Sequence, residues 1–324
     1  MTASRPILVT GSSGFVGGWL LKALAQAGEG PVVGLDQGAS RGHPLDGFEQ
    51  LSLLDEPAVQ TAIARWRPRA VCHLAGQASV ADSLAEPTRA FEANALGTLR
   101  LLEALRRHAP DARVVLVSSA EVYGDQVEGA VPETAPLRAG SPYAASKLAL
   151  EALGQAWWGS YGLPVVVARP FNHTGPGQSD RFVASAFARQ LAAIEAGRQP
   201  PVLHAGALEP RRDFLDVRDV ASAYVHLLKA GEPGRAYNIC RGEATRIGDV
   251  LAQLLALARV GVEVVSDPAR ARTVDPPVRW GDPSALQAAT GWHPTIPWKQ
   301  TLHDLLEAWR ATMPMWGDAP STLA

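Results

Sequence analysis

A short apolar run, Ile7 to Thr10, meets three glycines at three-residue spacing, Gly11, Gly14 and Gly17. An amphipathic pattern then runs from about Phe15 to Ala27. Few folds use that junction. The glycines let the backbone turn tightly and come close to a ligand, and the helix N-terminus offers free N–H groups and the positive end of a dipole. Between a first strand and its helix, this turn predicts a site for the pyrophosphate of a dinucleotide, although the spacing is Gly-x-x-Gly-x-x-Gly and not Gly-x-Gly-x-x-Gly. A second strand, Val32 to Leu35, ends at Asp36. A carboxylate there can accept both hydroxyls of an adenosine ribose and repels a 2′-phosphate, which favours NAD(H) over NADP(H). Arg41 follows closely and leaves NADP open; a plain loop carboxylate is the alternative for Asp36.

The alternation continues. Leu51 to Leu54 reads as a third strand, Glu56 to Trp66 as a helix, and Ala70 to Ala75 as a fourth strand closed by Gly76, Gln77, Ala78 and Ser79. Small residues at that end let a flat ring lie against the backbone. Glu86 to Arg107 reads as one long helix with Asn94 in its middle. Asn is mildly unfavourable there; it serves either a structural hydrogen bond to the neighbouring strand or a proton path. Val114 to Val117 is the fifth strand and Leu163 to Arg169 the sixth. Such alternation predicts an α/β fold with a doubly wound parallel sheet.

Proline and glycine interrupt the pattern after Arg169, which predicts a change of domain near residue 170. Residues 1–169 form the dinucleotide-binding domain, with 211–233 returning to it. Residues 170–210 and 234–312 form a smaller mixed substrate domain, and 313–324 a tail. Further strands are expected at Pro200 to His204, Ala236 to Cys240 and Val262 to Val265, and closing helices at Pro283 to Thr290 and Trp298 to Arg310.

Two residues carry the chemistry. Tyr143 and Lys147 are four apart after Pro142, which suits the first turn of a helix, so both side chains share one face. A neighbouring ammonium favours the phenolate and is expected to lower the Tyr143 pKa. Lys147 is one of four lysines in a chain that otherwise uses arginine. Ser118, Ser119 and Glu121 follow the fifth strand, where open α/β sheets keep their chemistry. Asn172 and His173 stand where the sixth strand ends, as turn formers or as ligand contacts. Arg211 and Arg212 are adjacent and mark a solvated face or a diphosphate clamp.

The net charge of −2 at pH 7 points away from a nucleic-acid partner. Cys72 and Cys240 are too few for a disulfide framework or a zinc site. No metal, no membrane span and no signal peptide are expected, and a cytoplasmic location is the simplest reading.

The glycine spacing, Ser119 and Tyr143-x-x-x-Lys147 together resemble the extended short-chain dehydrogenase/reductases that act on nucleotide sugars. Arg169-Pro-Phe-Asn-His-Thr-Gly-Pro-Gly-Gln178, Phe182-Val183, Arg212-Asp-Phe-Leu-Asp-Val-Arg-Asp219 and Tyr237-Asn-Ile-Cys240 look most like the GDP-6-deoxy-4-keto-mannose reductases, which form GDP-D-rhamnose. The resemblance implies that Gly11, Gly14, Phe15, Val16, Gly17, Asp36 and Leu53 hold the cofactor, and that Leu74, Ala75, Gly76 and Gln77 line its nicotinamide half. It implies Tyr143 as proton donor, Lys147 as its activator and ribose anchor, and Ser119 as polariser of the sugar carbonyl. Asn172, Val183, Arg212, Arg272 and Asp275 would hold a nucleotide diphosphate, GDP-linked. A homodimer through a four-helix contact is implied as well. Where many relatives carry an Asp-Leu pair against adenine, this chain has Ser52-Leu53.

Three reactions use such a site. Reduction of a C4 ketone needs Tyr143 and Ser119. A 4,6-dehydratase also needs a base for the C5 proton, which Glu121 could be, and an acid for loss of the C6 hydroxyl. The adjacent position, commonly Asp or Ser in dehydratases, is Ala120, which has no proton to give, so Glu121 would act twice through one proton, whereas in a reductase it would only contact a sugar hydroxyl. A C4 epimerase has no evident need for Glu121. A cofactor-binding regulator without turnover is the reading of a different class.

Overall fold

The computed structural model describes residues 4–125, 129–267 and 277–313. Strand β1 (Ile7–Thr10) leads through the glycine turn into helix α1 (Phe15–Gln26). Then come β2 (Val32–Asp36), β3 (Gly47–Gln50), α2 (Glu56–Trp66) and β4 (Ala70–His73). Helices α3 (Val80–Ala85), α4 (Pro87–Phe91) and α5 (Gly97–His108) precede β5 (Arg113–Val117), and α6 (Pro142–Tyr161) precedes β6 (Val165–Pro170). After β7 (Asn172–Thr174) follow α7 (Val183–Glu195), β8 (Val202–Ala205), β9 (Arg211–Arg212), β10 (Phe214–Asp216), α8 (Val217–Ala230) and β11 (Ala236–Ile239). The described chain closes with β12 (Thr245–Arg246), α9 (Ile247–Leu255), β13 (Glu263–Ser266), β14 (Val278–Arg279), α10 (Ser284–Thr290) and α11 (Trp298–Thr312).

Seven strands form one sheet in the order β11-β6-β5-β4-β1-β2-β3. Every neighbouring pair is parallel. Chain order reverses between β1 and β4, the crevice where such sheets bind ligands. The register is level: Thr10 faces His73, His73 faces Leu116 and Leu116 faces Val167, so β1, β4 and β5 end within one residue of each other and β6 runs on to Pro170 beside them.

Alternation along the strands splits the core. Ile7 and Val9 face one layer with Leu20, Leu24, Val220 and Tyr224. Leu8 faces the other with Ile63, Leu101, Leu105 and Leu150. Helix α8 thus packs beside α1 on the sheet although it follows β10. A third cluster, including Phe187, Leu191, Leu203, Phe214, Leu251 and Leu305, joins α7, α9 and α11.

One expectation needs correction. The third strand is Gly47–Gln50, and Leu51 to Leu54 is a turn after it. β3 is an edge strand with half-exposed residues, so it carries no continuous apolar run; Leu53 is buried against the start of α5 instead. The helix expected over Glu86 to Arg107 runs without a gap from α4 through a π-helical turn at Glu92–Leu96 into α5. Asn94 sits in that turn, where π geometry is often functional.

Candidate active site

The glycine turn is built for close approach. Gly11 has a φ of 70°, and a Cβ on it would lie 2.8 Å from the Ala75 nitrogen; one on Gly17 would lie 2.3 Å from the Gly11 oxygen. Gly14 caps α1 without any side-chain hydrogen bond, and the buried Ser12 and Ser13 hydroxyls have no partner. Two unpartnered hydroxyls at the start of a helix, on backbone that leaves no room for an added Cβ, suit a pyrophosphate laid against the turn. Asp36 closes the turn, accepting from the Ser13 N–H at 2.9 Å and the Gly38 N–H at 3.0 Å. Phe15 stacks on His173 at 6.4 Å, and the Trp19 indole donates to the Pro176 carbonyl oxygen at 3.0 Å, so α1 is strapped to the chain leaving β7.

The β4 end is held from two sides. Ala75 N–H donates to Thr10 Oγ1 at 3.2 Å. Asn94 Oδ1 accepts from the Gln77 N–H at 2.8 Å, while its Nδ2 donates to Gln77 O at 3.2 Å and Ser146 Oγ at 2.8 Å. Asn94 therefore couples the loop after β4 to α6. Below it, His73 bridges Thr10 and Thr98, and burial depresses its pKa to about 3, with Lys147 adding to the effect, so the ring is neutral.

Helix α6 starts as its sequence dictates. Ser141 accepts from the Ala144 N–H, Pro142 occupies the first turn, and Gly162 ends the helix in the left-handed region. Tyr143, Lys147, Leu150, Glu151 and Gly154 form its buried face. Lys147 Nζ donates to the Val117 carbonyl oxygen at 2.8 Å, and a Cβ on Gly76 would stand 3.8 Å from it. Tyr143 and Lys147 thus stand at the same sheet edge as the glycine turn. Asn172, by contrast, is exposed on β7, Val183 opens α7, and the buried Arg212 lies on β9 in a separate sheet. Arg272 and Asp275 fall outside the described residues.

The expected acidic phenol is not found. Burial pushes Tyr143 up to about 12; a hydrogen bond with Ser119 pulls it back, and Glu121 pushes it further up. The ammonium is 6.0 Å from the ring centroid and engaged with Val117. Spacing puts the amine near the phenol but does not reveal how dry the site is. The outcome suits a proton donor, since the phenol is protonated at neutral pH.

Lys147 itself falls from 10.5 to about 8, chiefly through burial, with Glu151 opposing. Its folded value lies below that of an exposed lysine. The charged amine therefore costs stability below about pH 8, and the cost fades as pH rises toward 10.5. Lys147→Met should accordingly lose activity, yet compare better with wild type in Tm at about pH 6.5 than at about pH 10. A Tm difference that does not change with pH would count against a buried ammonium.

Arg279 has no motif around it in the sequence. It projects from β14 to Glu121, with Nη1 2.8 Å from Oε1. The only local sign was a charge between Val278 and Trp280 in a strand-like run.

A family model described as GDP-mannose 4,6 dehydratase matches residues 8–305. The chain belongs to the GDP-mannose 4,6-dehydratase family. It is an enzyme of the extended short-chain dehydrogenase/reductase class, as the glycine spacing and the Tyr143–Lys147 pair imply. Members of this family and class differ in reaction. The chain is 41% identical, over 95% of its length and 98% of the relative's, to GDP-6-deoxy-D-mannose reductase of Pseudomonas aeruginosa. The structure of RMD from Pseudomonas aeruginosa complexed with NADPH matches with a TM-score of 0.85 at 39% identity, covering 95% of this chain and 99% of that one. The Thermus thermophilus UDP-glucose 4-epimerase complex with NAD matches at 0.84 and 33%, covering 94% and 98%. Family membership alone leaves the choice of reaction to the residues around Tyr143.

Proposed function

We propose that this protein reduces the C4 ketone of a nucleotide 4-keto-6-deoxy sugar, converting GDP-4-keto-6-deoxy-D-mannose to GDP-D-rhamnose. The observation that carries the choice is the 41% identity along 98% of a GDP-6-deoxy-D-mannose reductase. Two features of the site support it: Ala120 offers no acid for loss of the C6 hydroxyl, and Glu121 is paired with Arg279.

The nicotinamide cofactor, when bound, supplies the hydride. The residues of the chain do the rest. Gly11, Gly14, Phe15, Val16 and Gly17 cradle the pyrophosphate, Asp36 takes the adenosine ribose, and Leu53 closes on the adenine. Leu74, Ala75, Gly76 and Gln77 flank the nicotinamide. Ser119 and Tyr143 hydrogen-bond to the carbonyl oxygen and stabilise the charge that develops there more than they stabilise the ketone. Tyr143 gives up its proton, and the Lys147 ammonium offsets the phenolate charge left behind. Asn172, Val183, Arg212, Arg272 and Asp275 hold the nucleoside diphosphate.

Asp36 favours NAD(H). Asp36→Ala should weaken NAD binding more than NADP binding, read by fluorescence titration of both reduced cofactors; equal losses would remove Asp36 from ribose recognition. We assign the substrate domain to residues 170–210 and 234–312, with 211–233 returning to the cofactor domain; the packing of α8 beside α1 supports the return, whereas Arg212 on β9 goes with the substrate contacts and β11, in the seven-stranded sheet, with the cofactor domain. A homodimer is supported by exposed Phe91 on α4 and exposed Trp158 and Tyr161 on α6. A cytoplasmic location fits two buried free cysteines. Among the described residues, no helix is long and apolar enough to cross a membrane.

The test is turnover. Purified protein given GDP-4-keto-6-deoxy-D-mannose should oxidise NADH or NADPH and yield the alcohol. A keto product from GDP-mannose without net cofactor use would make it a dehydratase, interconversion of 4-hydroxyl epimers an epimerase, and binding without turnover a regulator.

A further inference from the structure

Glu121 stands one residue from Ala120 and two from Ser119, close enough to Tyr143 for its charge to act on the phenol. In this chain it is not free. Arg279 is 4% exposed and sits in parallel register with Arg212, so the strand that carries it belongs to the sheet of the proposed diphosphate contact. Its Nη1 lies 2.8 Å from Glu121 Oε1, and its Nη2 donates to the Gly124 carbonyl oxygen at 3.0 Å and lies 3.7 Å from Asp125 Oδ1. Asp213 N–H in turn donates to the Arg279 carbonyl oxygen at 3.0 Å, fixing the backbone from which the guanidinium reaches.

We propose that Arg279 is a positioning residue that keeps Glu121 from acting as a base at C5 of the sugar, confining the site to carbonyl reduction. The inference rests on the reductase reading. C5 is next to the ketone, so its hydrogen is acidic. A carboxylate that took it would break the C5–H bond, receive the proton, and send the electron pair into an enolate with its oxygen on C4. Return of a proton from the other face would scramble the C5 stereocentre. With Arg279 in place, that transfer would neutralise Glu121 and strip a buried guanidinium of its nearest counter-charge, which is costly. The pair also occupies one carboxylate oxygen of Glu121. The clamp thus protects a substrate that is prone to enolise.

The experiment reads exchange apart from reduction. The full chain is incubated in D2O with GDP-4-keto-6-deoxy-D-mannose and, in parallel, oxidised NAD or oxidised NADP, so no hydride is available, and deuterium at C5 is followed by NMR and mass spectrometry. Wild type should exchange no faster than the enzyme-free sugar. Arg279→Met should exchange about 10²-fold faster or more, and the double change Glu121→Gln with Arg279→Met should return to the wild-type rate. Arg279→Lys, which keeps a cation but loses the fork, should also exceed wild type and serves if the Met variant does not fold. Rapid exchange by wild type overturns the proposal without any variant. So does a folded Arg279 variant that binds cofactor yet exchanges as slowly as wild type, or exchange that survives the loss of Glu121. Failure of the reductase reading shows separately, as wild type that leaves NADH, NADPH and the keto sugar unconsumed.

Discussion

Tyr143→Phe is expected to lower kcat by about 10²–10⁴-fold, the usual contribution of a positioned acid, with cofactor binding nearly intact. The ring stays, so the packing of this buried side chain stays; only the hydroxyl and its hydrogen bond with Ser119 go. The loss should fall on kcat and kcat/KM alike, because the phenol acts on charge that exists only in the transition state. The phenol sits at about 12, so its protonation should set no activity limit below that pH. An alkaline fall in kcat near pH 8 would belong to Lys147. Unchanged turnover in the variant, measured by cofactor absorbance, would end the assignment.

The second large effect is on stability. Glu151 lies one turn beyond Lys147 and accepts from Arg169 Nε at 3.0 Å and Nη2 at 2.7 Å, and from Ser118 Oγ at 2.5 Å. Arg169 also donates to the Tyr123 hydroxyl at 3.0 Å, which donates to Asn238 Oδ1 at 2.7 Å. The side chains of the ion pair are 6% and 8% exposed. Glu151→Leu leaves a buried guanidinium without its carboxylate and should cost about 3–5 kcal/mol in chemical denaturation. Glu151→Leu with Arg169→Met should recover much of that, since an apolar pair of similar volume is often no worse than the ion pair. A single variant as stable as wild type would mean that the guanidinium finds another anion. A double variant that recovers nothing would place the energy in the wider network through Tyr123 and Asn238.

Much of this could be read from residue order. Apolar runs bounded by glycine, proline and serine placed six of the seven sheet strands, because buried parallel strands need such runs. β3 escaped because an edge strand needs no continuous apolar run: Gly47-Phe-Glu-Gln has Phe48 as its one large apolar side chain, while the more apolar Leu51-Ser-Leu-Leu serves a turn. The π-helical turn escaped because Asn94 in a helix looks like a weak helix former, and only its bonds to Gln77 and Ser146 explain it. Spacing paired Tyr143 with Lys147 but could not say that burial would outweigh the amine. Arg279 lies more than 150 residues from Glu121, and no local pattern links them.

The level register of β1, β4, β5 and β6 has a consequence for how such enzymes diversify. Each turn beyond the sheet stands on the same platform, so one can be rewritten without tilting its neighbours. A lineage named for removing water can therefore house a chain so similar to a reductase. On the reading above, the change of trade lies in Ala120 and the Glu121–Arg279 pair, with the sheet beneath them unchanged.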